Sequence, residues 1–414
     1  MGNLNKVPTI RFPEFKDAWQ HKKLSEFLKE AKKRNGDLKY GKEHVLSVSG
    51  ELGIVNQIEH LGRSYAGVSV HQYHVVEVGD IVYTKSPLKA NPFGIIKLNK
   101  DKAGIVSTLY AVYNVKEQNA YGPFLDYYFS LDANTNRYLR PLVKKGAKND
   151  MKINNAYVLH DRIFAPSIPE QKRIATFFTV LDKKITQLKE KKAMLEQYKK
   201  GVMQKLFTQE LRFKDENGKE FPEWDEKNIG EIFSIFNGYA FSSNDAKNEG
   251  VPWVKIADVG IQEMKKENLS FLPEDFLEKH KKFILRKGDY VIALTRPILS
   301  GELKISVIDD FFDNSLLNQR VGKIVSENNT TFIYYMLQQS WLIKAIENNI
   351  AGTDPPNLSP SEINYIKIEI PKVPEQRKIA QYLSSVDRKI QSSYAQLVFL
   401  KDFKKGLIQR MFCN

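Results

Sequence analysis

The chain has one cysteine in 414 residues, Cys413. That excludes an internal disulfide and any zinc site built on clustered cysteines, and it fits a reducing cytoplasm. Long apolar runs are missing too, since none approaches the roughly 20 residues that a membrane-spanning helix needs. The opening residues, Met1-Gly2-Asn3-Leu4-Asn5-Lys6, lack the apolar core of a signal peptide, and Lys6 breaks the myristoylation pattern. Signatures of catalysis are equally scarce: there is no G-x-x-x-x-G-K-[ST] loop, G-x-G-x-x-G, G-x-S-x-G or H-E-x-x-H. The expectation is a chain with no catalytic residues and no metal.

Three weaker signals do not change that. His71 and His74 are three apart, but they sit in a strand-like run, Val68 to Val78, where that spacing points them to opposite faces. Asp354-Pro355-Pro356-Asn357 resembles the acidic-or-amide–Pro–Pro–aromatic loop of amino-methyltransferases. Here, however, Asn stands where an aromatic would stack on a flipped base, so the segment reads as a structural turn ahead of the last strand. Asp309-Asp310 lacks the Glu-x-Lys partner of a nuclease and reads as a solvated loop.

What is present is apolar content and positive charge. Hydrophobic residues make up 42% and aromatics 11%, enough for real cores. The net charge of +14 favours a polyanionic partner, nucleic acid first and an anionic membrane surface second.

The chain also repeats itself. Pro169-Glu170-Gln171-Lys172-Arg173-Ile174-Ala175 returns as Pro374-Glu375-Gln376-Arg377-Lys378-Ile379-Ala380, 205 residues later. The same offset pairs Leu181-Asp182-Lys183-Lys184-Ile185 with Val386-Asp387-Arg388-Lys389-Ile390, and Lys200–Gln204 with Lys405–Gln409. Upstream it pairs Trp19, Leu24 and Glu26 with Trp224, Ile229 and Glu231. A duplicated chain predicts two equivalent modules and a pseudo-twofold shape.

Residues 170–207 hold no proline and one glycine, Gly201. Ile174, Leu181, Leu188, Leu195 and Val202 recur every seven residues, with Phe178, Ile185 and Leu206 on a second series four residues later. This is the a/d pattern of a coiled coil, weakened where Lys192 and Lys199 occupy the second series. The helix would be about 55 Å long. Near the C-terminus, Ile379, Val386, Leu400 and Leu407 form one series and Leu383, Ile390, Leu397 and Met411 the other, with Ser393 and Lys404 as exceptions. Two such helices most simply pair antiparallel; the alternative is that each stripe packs on its own globular domain. Lys183, Lys184, Lys189, Lys191 and Lys192 band the helix, for solubility or for contact with phosphate or a partner.

The intervening segments are mixed. Short strand-like runs (Asp80–Tyr83, Gly104–Val106, Tyr290–Ala293, Ile305–Ile308) alternate with turns. Each half also has one helical stretch, around Pro123–Leu131 and Thr331–Glu347. Each is therefore expected to be an α+β domain. Gly79-Asp80 matches Gly288-Asp289, and Phe124-Leu125 with Tyr127 matches Phe332-Ile333 with Tyr335, but the residues between do not match. Loops after the strands carry base-reading chemistry: Lys85, Ser86, Lys89 and Asn91 in the first half, Thr295, Arg296, Asn318, Gln319 and Arg320 in the second. Arg pairs with guanine, and Asn or Gln with adenine.

In this order of elements the chain resembles a specificity subunit of a type I restriction–modification system. The resemblance rests on Pro166–Ala175, Phe221-Pro222-Glu223-Trp224 and Pro371–Ala380, with Phe12-Pro13-Glu14-Phe15 as a less exact first lead-in segment. It implies two globular α+β target-recognition domains, at 1–168 and 211–373. Two spacer helices, at 169–210 and 374–414, would separate them as an antiparallel coiled coil. Each domain would read one part of a split DNA site. The helices would set the gap and dock two methyltransferase (modification) subunits, alongside restriction subunits. The chain itself would be non-catalytic and cytoplasmic and would hold no cofactor. S-adenosylmethionine would belong to the modification subunit, ATP and Mg to the restriction subunit. The competing expectation is a stand-alone DNA methyltransferase or nuclease carrying its own recognition domain.

Overall fold

The computed structural model describes residues 6–145, 151–350 and 355–412. The chain folds as two compact units: Met1–Glu190 together with Tyr394–Asn414, and Lys191–Ser393. Both boundaries fall inside long helices, the central helix Ile168–Phe207 (40 residues) and the C-terminal helix Val373–Met411 (39 residues). Each helix has its Pro-Glu-Gln in its opening turn. Proline is tolerated there because its missing N–H has no intrahelical acceptor to lose.

The first unit is built on a four-stranded antiparallel sheet, in the order Leu28–Glu30, Tyr110–Val115, Ile81–Thr84, Ile95–Leu98. The second unit repeats the plan with Ser234–Asn237, Val321–Val325, Tyr290–Ala293 and Ile305–Val307. In both, a helix pair follows the sheet: Gly122–Ser130 with Asp132–Leu139, and Thr330–Met336 with Ser340–Ile350. The first helix of each pair buries most of its aromatic residues, Phe124, Tyr127, Tyr128 and Phe129 in one unit and Phe332, Tyr334 and Tyr335 in the other. The expected strand at Val68 to Val78 shrinks to His74–Val76, because His71 lies in the turn before it.

The repeated Gly-Asp pairs make one device twice. Gly79 and Gly288 sit at φ +94° and +91°, a left-handed conformation that a Cβ disfavours. The following carboxylate closes the turn: Asp80 accepts from the Glu77 N–H and Asp289 from the Arg286 N–H, both at 2.8 Å.

The Pro-Glu-Gln motif also acquires a reason. Glu170 is buried and accepts two bonds of 2.7 Å from the Arg11 guanidinium and one of 3.2 Å from the Trp19 indole. Glu375 does the same with Arg212 (3.2 and 2.9 Å) and Trp224 (3.3 Å). Gln171 accepts from the Tyr121 N–H and donates to the Pro166 carbonyl; Gln376 accepts from the Asn329 N–H and donates to that of Pro371. Charge-assisted, bidentate bonds of this kind fix a helix start against both its lead-in segment and its domain. The lead-in strands Gln20–Lys23 and Asp225–Asn228 pair antiparallel with Arg162–Ala165 and Lys367–Ile370, the strands that run into the two helices.

All the apolar seam residues read from the sequence are buried or half-buried, but the stripe serves two purposes. In the first unit Ile174 and Phe178 pack into the domain core, joined by Ile408, Met411 and Phe412 from the C-terminal helix and just beyond it; Leu181 and Leu407 flank it. Helix-on-helix contact follows further along, where Ile185 and Leu188 meet Leu397 and Leu400. In the second unit Met203, Leu206 and Phe207 share a core with Ile379 and Leu383, with Val202 beside them. Within each unit the two helix segments run antiparallel. Leu195 and Ile390 are half-buried and Val386 is buried.

The lysines that interrupt the heptads are not defects. Lys404 pairs with Asp182 in the first unit, Lys199 with Asp387 in the second. Each carboxylate also accepts from a tyrosine of its own domain, Tyr127 at 2.8 Å and Tyr335 at 2.6 Å. Each ammonium lies 5.2 Å from the centre of that same ring. Lys192 instead pairs along its own helix with Glu196.

Candidate nucleic-acid interface

In both units a strand of a second sheet, two-stranded in the first unit and four-stranded in the second, runs into the main sheet through a single tight turn. Gly104–Val106 leads through Ser107-Thr108-Leu109 into Tyr110–Val115, and Ser315–Leu317 leads through Asn318-Gln319-Arg320 into Val321–Val325. The backbone bonds are the same. Tyr110 N–H donates to Ser107 O and Val321 N–H to Asn318 O, at 3.0 and 2.9 Å. Across the sheet, Lys85 N–H donates to Leu109 O and Leu294 N–H to Arg320 O, at 3.3 and 2.9 Å. In each turn the first residue is half-buried and the next two are exposed.

The second turn is further braced by Gln319 N–H donating to Tyr239 O at 2.9 Å and by Arg320 N–H donating to Asn318 Oδ1 at 2.9 Å. Gly238 permits the approach of this segment, because a Cβ there would lie 2.3 Å from the Leu317 and Asn318 carbonyl oxygens. Beside the turn, Arg296 is exposed at φ +49° with its N–H on Pro356 O at 2.8 Å. Arg296, Gln319 and Arg320 thus have fixed backbones and side chains directed to no hydrogen-bond partner among the described residues.

Three candidates already have a side-chain partner within the fold. Asn91 is buried and donates to Asp132 at 2.6 Å, tying its loop to the helix Asp132–Leu139. Thr295 donates to Asn357 Oδ1 at 2.7 Å, and Asn318 uses its side-chain oxygen to close its own turn. Each of these side chains therefore has at least one polar atom engaged within the fold. Ser86 and Lys89 are exposed on the first-unit loop, and Lys85 is half-buried. Pro355-Pro356-Asn357 straps the Thr295-Arg296 loop; Asp354 lies outside the described residues, as does Cys413. Asp309 and Asp310 form ion pairs with Lys266 and Lys287. Thr108, Leu109 and Tyr239, exposed at or beside the two turns, belong to no sequence motif.

His74 begins the strand beside Gly104–Val106, and its pKa is lowered to about 4, first by burial and then by the charges of Arg34 and Lys85. Burial also lowers the pKa of Lys304, helped by Lys265.

The family model described as the type I restriction modification DNA specificity domain matches twice, at residues 17–197 and 222–397. Among curated proteins, the chain is 32% identical over 255 residues to the type I restriction enzyme MjaVIII specificity subunit of Methanocaldococcus jannaschii, covering 60% of each chain. It is 27% identical over 195 residues to the EcoAI specificity subunit of Escherichia coli, covering 46% of this chain and 32% of that one. The matched regions therefore span 60% and 32% of these relatives' lengths, less than two thirds of each. Among solved structures, the S subunit of a type I system from M. genitalium shares the fold. Its TM-score is 0.61 at 16% identity, over 99% of this chain and 100% of that one.

Proposed function

We propose, from the premise that this chain belongs to the family of type I restriction modification DNA specificity domains, that it is the sequence-reading subunit of a type I restriction–modification complex. One observation carries the reading: the same sheet-and-turn scaffold is built twice, and its two exposed tips carry different side chains. Two like scaffolds with unlike tips suit a bipartite, asymmetric DNA site.

In this reading each domain reads one half of the site and the paired helices set the gap. The +14 charge neutralises phosphates and supplies salt-sensitive, sequence-independent affinity. Side chains at the tips then discriminate base edges, each good pair contributing about 1–3 kcal/mol. The helices also dock two modification subunits, with restriction subunits joining the assembly in the cytoplasm. The chain transfers no methyl group and cuts no strand. S-adenosylmethionine is held by the modification subunit, and ATP and Mg by the restriction subunit.

The test is to co-produce the chain with its modification subunit in a methylation-free host and map modified bases across the host genome. A split motif with a fixed gap is the expected result. Deleting whole heptads from both helices should change the gap and leave the bases read unaltered. A stable complex that modifies no split motif, or purified chain that turns over S-adenosylmethionine alone, would overturn the reading.

A further inference from the structure

We infer that the equivalent turns Ser107-Thr108-Leu109 and Asn318-Gln319-Arg320 are the paired base-reading elements of the two domains, and that they read opposite chemistries. Gln319 and Arg320 would read purines, adenine and guanine, in one half-site; Thr108 and Leu109 would read a thymine methyl in the other. The inference rests on the DNA-recognition reading above.

The argument begins with the backbone. Both turns hang on the same two hydrogen bonds, one within the turn and one to the neighbouring strand of the main sheet. Leu109 therefore occupies the place of Arg320, and Thr108 that of Gln319. A turn held this way loses little freedom on binding, which suits selective contact. The side chains then separate two roles. A position that only grips phosphate needs a cation or a hydrogen-bond donor in both domains. Here the position changes from a guanidinium to an isobutyl group. Leu109 is 61% exposed, and it has no attraction for phosphate. An apolar side chain at a base edge does match the thymine methyl in the major groove, and threonine beside it offers a methyl and a hydroxyl.

Gln319 and Arg320 carry the complementary pattern. An amide pairs with adenine N6 and N7, and a guanidinium with guanine O6 and N7, each through two bonds in a fixed plane. Arginines with a structural role in this chain look different, since Arg11 and Arg212 are clamped on Glu170 and Glu375. Arg320 has an anchored backbone and an uncommitted head, with Arg296 beside it on the adjoining loop.

The test uses the full chain assembled with its modification subunit. Genome-wide mapping with the wild type first establishes the motif; absence of any split motif would sink the DNA-recognition reading itself, separately from this assignment. With a motif in hand, the double variant Gln319→Thr with Arg320→Leu should lose a guanine from one half-site and leave the other half unchanged. Thr108→Gln with Leu109→Arg should alter only the opposite half. On duplexes bearing the wild-type site, replacing that guanine by 7-deazaguanine should weaken wild-type binding about tenfold or more and leave the Gln319/Arg320 variant unaffected. Replacing thymine by deoxyuridine in the opposite half should weaken wild-type binding and leave the Thr108/Leu109 variant unaffected. The binding measurement also decides the case of a variant that modifies nothing. An unchanged motif, a change in both halves, or equal sensitivity of wild type and variants to the modified bases would overturn the assignment.

Discussion

The Lys199 ammonium lies 2.8 Å from the Asp387 carboxylate, joining the central and C-terminal helices inside the second unit. Lysine at an apolar seam position weakens a coiled coil unless a counter-charge meets it, and one buried polar pair then fixes a single alignment. Asp387→Leu should lower stability by about 2–3 kcal/mol, less than for a fully buried pair because the carboxylate keeps some water. Adding Lys199→Met should recover most of that loss in thermal unfolding. No recovery in the double variant would mean that the pair does not act as a unit.

Glu170 is the buried acceptor for Arg11 and Trp19. Glu170→Gln turns an N–H toward the guanidinium and removes the charge, at an expected cost of about 3 kcal/mol. Hydrogen exchange should accelerate in Gln20–Lys23 and in the first turn of the central helix. Unchanged protection there would show that the lead-in strand is held by other contacts.

His74 makes the first unit sensitive to acid. Its folded pKa, about 4, lies below the ordinary value of 6.5, so the fold keeps the ring neutral. Above pH 6.5 the ring is neutral in both states and carries no penalty. As pH falls from 6.5 toward 4 the unfolded chain takes up a proton that the folded chain refuses, and about 2–3 kcal/mol of stability is lost. Urea midpoints of the wild type should fall across this window more steeply than those of His74→Leu. Parallel profiles would remove His74 as the cause.

Gly238 lies against the carbonyls of Leu317 and Asn318. Gly238→Ala has to push the Asn318-Gln319-Arg320 turn away, at about 1–3 kcal/mol. The expected outcome is a modest drop in thermal midpoint and a degenerate motif in one half-site only. A sharp motif in both halves would show that the turn's position does not matter to reading.

Much of the fold was legible because repetition and periodicity are carried by local sequence. The Pro-Glu-Gln motif, the heptads and the Gly-Asp turns each mark a backbone event, and the helix starts and the strands Ile81–Thr84 and Tyr290–Ala293 follow from them. The division of the apolar stripe between helix pairing and domain cores was not legible, since leucine reads the same in either setting. Nor was the counterpart of Arg320. Leu109 shares no residue pattern with it, and only the common hydrogen bonds across the sheet place the two together. Asn91 shows the converse: an amide in a loop looks available until its partner Asp132, 41 residues on, is in view.

Phe412 packs against Trp19, Phe124 and Phe178 in the core of the first unit, beside Ile408 and Met411. During synthesis, that core stays short of an aromatic plug while the ribosome makes the whole second unit. The earlier half of the protein must therefore wait, incompletely closed, for residues added some 390 positions after Trp19. A chain that stops before residues 408–412 would leave an apolar gap in that core, where Ile408, Met411 and Phe412 pack.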